Sequence, residues 1–292
     1  MEYMRGSFGL SIRRACGLVE LSRTSFAYKV KEKEDEEAIR KRLKELAERR
    51  RRFGCARLHV LLRREGVMIN HKRTERIYRD EGLSLRIRRR KKTASCTRVE
   101  IPKPLHQNHI WTMDFMSDTL GNGRKLKVFS VVDEYTRRCH RIEVDTSLNG
   151  VRACRALSEV SQAAGLPEMI IIDNGPEFIG SALDKWAYER GVKLCFITPG
   201  KPVENAYIES FNGRFRDECL NENWFMSMHD ARKIIEDWRI DYNHERPHSS
   251  LNYLTPEEFI QKEREKSSTA IAVDALAINS GNSNYHWYNK RG

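Results

Sequence analysis

Two rhythms of apolar and polar residues divide the 292-residue chain. In the first third, apolar positions recur every three or four residues, the period of helices packed on one side. Residues 11–16 and 22–28 bracket Gly17-Leu18-Val19-Glu20-Leu21, which reads as a short helix, a turn and a second short helix capped by Ser22. Residues 32–52 read as a charged amphipathic helix with Ile39, Leu43, Leu46 and Ala47 on its apolar side. Residues 56–65 and 71–81 make a further helical pair, separated by Gly66-Val67-Met68-Ile69 and capped by Asn70. From Ile110 onward the period changes. Residues 110–116 read as a strand, Gly121-Asn122-Gly123 as a hairpin turn, and residues 126–132 and 139–144 as two more strands. A helix over 151–164, a strand over 169–172, a helix over 183–190 and a strand over 193–197 follow. This succession predicts an α/β fold, a mixed five-stranded sheet with flanking helices, preceded by an all-α region.

Against this pattern three acids stand out. Asp114 is the sole charge in the strand IWTMDFM, a costly group to bury unless a cation or hydrogen-bond donors compensate it. Asp173 follows the apolar run Met169 to Ile172 and opens the turn Asp173-Asn174-Gly175-Pro176, so it faces a cleft at the tip of a buried strand. Glu209 lies on a helix where Asn205, Glu209, Asn212 and Arg216, spaced four, three and four apart, form one polar stripe. Ile208, Phe211 and Phe215 form an apolar stripe about a quarter turn away, so the helix can bury one side and show Glu209 to a ligand. Alone, such a stripe also suits an ordinary solvated face. Downstream, residues 230–244 carry Ile234, Ile235, Trp238 and Tyr242 at core spacing, and beyond about Gln261 periodicity fails, which predicts a disordered tail.

Charge alters this picture by its distribution. The chain carries a formal net charge of +12, yet residues 1–100 hold 29 Lys and Arg against 14 Asp and Glu. The excess positive charge therefore sits wholly in the helical first third, which favours a polyanionic partner. Arg86, Arg88, Arg89, Arg90, Lys91 and Lys92 cluster just before an aperiodic segment with Pro102 and Pro104, as in a linker that crosses a DNA backbone; a merely solubilising linker is the plainer alternative. Seven cysteines without a paired C-x-x-C spacing argue for reduced thiols, and His106 and His109 lack the cysteine pair that a zinc module would need. No apolar run nears the length of a membrane span, and no secretory signal is evident, so a cytoplasmic protein is expected. The expected domains are 1–92 (basic helical, DNA-binding), 93–105 (linker), 106–261 (catalytic core) and 262–292 (disordered tail).

The blocks WTMDF, VVDEYTRRC, IIDNGPEF, PGKPVENAYIESFNGRFRDECL, YNHERPHSSL and YLTPEEF, in this order, resemble consecutive blocks of the second-reading-frame transposase of insertion-sequence family three. Asp114, Asp173 and Glu209, with 35 residues between the last two and Arg216 seven beyond, resemble the D,D-35-E core that such transposases share with retroviral integrases. The resemblance implies a ribonuclease H-like fold with the first and fourth strands adjacent, and a helix-turn-helix module ahead of the core. Three such carboxylates suit Mg2+ or Mn2+, two ions around one phosphodiester, with Asp114, Asp173 and Glu209 as both metal ligands and catalytic groups. Arg216, Asn205, Asn212 and the residue 86–92 cluster are the expected DNA contacts. The expected partners are element ends and target DNA, further copies of the chain on that DNA, and the product of an upstream frame joined by frameshifting. A DNA-binding protein without catalysis, and a nuclease that cuts without joining, remain the alternative readings.

Overall fold

The computed structural model describes residues 2–28, 35–85, 102–175, 181–197 and 205–281. Three short helices, α1 (Glu2–Phe8), α2 (Ile12–Leu18) and α3 (Arg23–Ala27), open the chain. The expected cap is present, Ser22 accepting from Ser25 N at 3.0 Å, and Ser11 likewise accepts from Arg14 N at 3.4 Å. Helices α4 (Glu36–Arg49), α5 (Cys55–Arg64) and α6 (His71–Asp80) follow, with Asn70 accepting from Lys72 N at 2.9 Å. Leu43, Leu58, Leu62 and Ile77 interlock at 0% exposure in a core of their own, each contributing about 1.5–3 kcal/mol of burial.

The second unit is built on the strands β1 (Ile110–Thr119), β2 (Lys125–Asp133), β3 (Cys139–Asp145), β4 (Met169–Ile172) and β5 (Lys193–Phe196). Their order across the sheet is β3-β2-β1-β4-β5. β1, β2 and β3 pair antiparallel, while β4 pairs parallel with β1 and β5 with β4. The first and fourth strands therefore are adjacent. Helices α7 (Gly150–Ala164) and α8 (Ser181–Arg190) cover one face, where Trp111, Met113, Phe129, Ile170 and Ile172 meet Leu157 and Trp186. Helices α9 (Ala206–Glu218) and α10 (Met228–His244) cover the other, where Leu126, Val128 and Ile142 meet Ile208, Phe211, Phe215 and Ile235. The period of two thus assigns each strand residue to one helix layer.

Helix α11 (Pro256–Gly281) runs into the stretch where loss of periodicity predicts disorder. Its beginning is anchored, because Thr255 accepts from Glu258 N at 3.2 Å, and Tyr135 Oη donates to Glu263 at 2.9 Å, beyond the expected end of the core. Among the described residues no helix is long and apolar enough to cross a membrane.

Candidate active site

Strand register brings the first two acids together. Thr112 of β1 lies opposite Ile171 of β4, and continuing this parallel register past the end of β4 points Asp114 toward Asp173, whose charge acts on Asp114. Alternation puts both on the α9 face, since Met113 and Ile172 point into the opposite core. On β2, Asp114 pairs with Ser130.

Helix α9 completes the arrangement. Ile208, Phe211 and Phe215 are 0–2% exposed and fix its rotation on the sheet. Because the polar stripe starts only a quarter turn away, its near edge is covered too. Asn212 is 8% exposed and donates through Nδ2 to Asp114 Oδ2 at 2.6 Å, while its Oδ1 lies 3.5 Å from Ser130 Oγ as acceptor. Asn205, 5% exposed, accepts from Thr112 Oγ1 at 3.1 Å. Both amides are thus largely covered and engaged by the sheet. Arg216 is exposed, with Nη2 donating to Ser117 O at 3.2 Å, which ties the end of α9 to β1. Glu209 lies farthest from the apolar stripe and stays exposed in the first turn of α9.

Asp114 is held between Phe115 N, which donates to Oδ1 at 2.7 Å, and the Asn212 amide. Burial pushes its carboxyl up to about 6, and the Asp173 carboxylate pushes the same way. The bonds from Phe115 and Asn212 oppose that rise, and Glu209 adds a smaller upward push. The charges of Asp173 and Glu209 thus both act on Asp114. Both hydrogen-bond partners of Asp114 are neutral, so the repulsion is left for a cation to relieve. A set made only of carboxylate oxygens suits a hard divalent ion such as Mg2+. Among the described residues no three such groups already stand at ion-binding separation. Asp173 meanwhile accepts from Gly175 N at 3.0 Å and shapes its own turn, and Asn174 donates to Ile197 O at 2.7 Å.

The neighbouring acids have structural uses. Asp133 accepts from Thr136 N at 2.7 Å, Thr136 Oγ1 at 2.8 Å and Asn108 N at 2.7 Å, so it orders the turn after β2. Glu134 is 1% exposed, and burial pushes its carboxyl up to about 8 against the pull of Arg137. Arg137, in that same turn at φ 63°, lies flat on the Tyr207 ring, 4.0 Å from its centroid. The sequence gives Arg137 no such role; the signal available is only that Tyr207 precedes Glu209 by two residues. Arg86, Arg88, Arg89, Arg90, Lys91, Lys92 and Glu177 lie outside the described residues.

Comparison with known proteins follows this geometry. The integrase core domain matches residues 104–202 and 190–256, and an HTH-like domain matches residues 34–91. A 31.7 kDa protein of insertion element IS407 from Burkholderia multivorans is 47% identical over 94% of this chain and 100% of that protein. A 39.2 kDa protein of insertion element IS476 from Xanthomonas euvesicatoria is 43% identical over 93% of this chain and 78% of that protein. The transposase for insertion sequence element IS904 from Lactococcus lactis is 26% identical over 73% of this chain and 88% of that protein. With an HTH-like unit ahead of an integrase core, and insertion-element proteins similar along nearly its whole length, the chain belongs to the insertion-sequence transposases of the second-reading-frame type, which are DDE polynucleotidyl transferases.

Proposed function

We propose that Asp114, Asp173 and Glu209 are the metal-holding and catalytic carboxylates of this transposase, and that Mg2+ or Mn2+, as two ions, is its cofactor. The observation that carries the assignment is the Asp114 carboxyl, raised by burial and by both other acids while accepting bonds from neutral donors alone. When bound, such ions activate the attacking water or 3′-hydroxyl and stabilise the departing oxygen of an in-line displacement. The chain's own residues set the geometry. Asn212 and the Phe115 N–H fix the rotamer of Asp114, the Gly175 N–H fixes Asp173, and the packed phenylalanines of α9 hold Glu209 above them.

The reaction is the nicking of element ends followed by joining of the 3′-hydroxyls to target DNA. Joining two ends calls for two cores, so further copies of the chain assemble on the DNA, and an upstream-frame product fused by frameshifting contributes end recognition. DNA of the cell is the substrate, which places the protein in the cytoplasm. The basic residues 86–92 contact the phosphate backbone without choosing sequence. In a strand-transfer assay with labelled ends and Mg2+ or Mn2+, the parent chain gives joined product. Glu209→Gln and Asp114→Asn abolish joining and leave duplex binding intact; transfer by Glu209→Gln at the parent's rate would refute the assignment. Cleavage without joining would instead favour a nuclease.

A further inference from the structure

The side of α9 turned away from Glu209 carries charge that catalysis does not use. Tyr207, Arg214 and Glu218 are seven and four residues apart on that stripe, spanning about 16 Å of helix. Around it the helical unit meets the core through arginines of two kinds. One kind is paired one to one with an acid. Arg50 forks onto Asp241, Arg52 reaches Glu222 at 3.2 Å, and Arg64 reaches Glu258 at 2.6 Å. These hold the two units together.

The other kind has no acid of its own. Among the described residues Glu218 is the sole carboxylate bonded among Arg57, Arg214 and Arg246, and both its oxygens already accept from Arg246, at 2.6 Å each. Arg57 stands 3.7 Å off the same carboxylate. Among the described residues Arg214 donates only to Ser210, through the carbonyl and the hydroxyl. Arg137 lies on Tyr207 with its Nε unpaired, and the nearby Glu134 is raised to about 8, so it carries little charge at neutral pH. The cations feel one another. Burial and then Arg246 lower the proton affinity of both Arg57 and Arg214, and Arg137 adds to the field at Arg214. Guanidiniums held together in this excess are unfavourable without an anion, and their planar forks match phosphate oxygens.

We propose that Arg137, Arg214 and Arg57 form a phosphate track for the DNA backbone, running from the turn after β2 along the side of α9 turned away from Glu209 to the helical unit. This rests on the transposase reading and adds to it the path of the substrate. Sixteen ångströms of helix leaves room for about four phosphates of one strand. Arg246 and Glu218 brace the track, and the Phe53 ring supports Arg57 and Arg246 at 5.3 and 5.9 Å.

The test measures binding of a fluorescent 30-base-pair duplex of arbitrary sequence to the full chain in EDTA, across a salt series. Binding without metal is independent of chemistry, so the readout stands even if transfer fails. Each lost phosphate contact lowers the slope of log K against log salt by about 0.9. Arg57→Gln/Arg214→Gln is expected to lower the slope by about two and to weaken binding about tenfold or more near 100 mM salt, while the paired control Arg52→Gln matches the parent. Arg137→Gln, a half-buried position outside the seam between the two units, is expected to lower it by about one and serves if the double variant does not fold. Unchanged slopes in the folded variants, or an equal loss in Arg52→Gln, would overturn the track. So would loss of self-association with DNA binding intact, which would make the seam a protein contact.

Discussion

At the scale of single residues, Asn212 is the group whose role is least visible in the sequence and most definite in the structure. Its amide donates to the carboxylate of Asp114, and a donor of this kind favours the ionised form that a metal requires. Removing it raises the proton affinity of Asp114 further. Asn212→Ala is therefore expected to lower strand transfer about tenfold, to move the acidic limb of the pH–rate profile upward, and to be partly rescued by more Mn2+. Rate and pH profile together check this; a lower rate with an unmoved acidic limb would make Asn212 a packing residue only. The neighbouring acids are separated by the same reasoning. Asp133 has three donors in its own turn and Glu134 is sealed in, so neither is free to hold an ion.

At the scale of elements, the turn after α10 shows how burial couples stability to pH. His248 is 6% exposed, its Nε2 lies 3.2 Å from Tyr242 O, and its ring meets Tyr242 edge-on at 4.6 Å. Burial, and then the charge of Arg246, pushes its imidazole down to about 2. Folded His248 thus stays neutral while the unfolded chain takes up a proton below about 6.5. Its contribution is fully present above that pH and is lost as pH falls, by up to about 1.4 kcal/mol per unit. Denaturant melts of parent and His248→Gln are expected to differ most at pH 8 and to converge toward pH 5; a constant difference would contradict a neutral buried imidazole.

How much of these elements the sequence carries depends on what decides each one. Capped helices such as α6 and the strand over residues 169–172 are legible because Asn70, and the turn at Asp173, mark their limits locally. The rotation of α9 is not, since Asn205 and Asn212 belong to a polar stripe by spacing, yet lie near enough to the phenylalanines to be covered. Helix α1, and the extension of α11 to Gly281, carry too little periodicity to be read. The three acids were legible as candidates because each is an exception to an apolar or polar pattern. Which strands adjoin is set by register, which only the fold supplies.

At the scale of the molecule, the helical unit and the integrase core are joined by charge pairs around Phe53 and α10. Arg50 is half-buried and forks onto Asp241, so a double-mutant cycle with Arg50→Gln and Asp241→Asn is expected to give a coupling of about 1 kcal/mol. Zero coupling would mean that the units are held by packing alone. The central claim, that Asp114, Asp173 and Glu209 form one divalent-cation site, is tested most directly by anomalous scattering from crystals of the chain grown with Mn2+. The account predicts peaks about 2.1 Å from carboxylate oxygens of all three residues, absent in Asp114→Asn crystals. Mn2+ bound elsewhere, or no peak at saturating Mn2+, would contradict it.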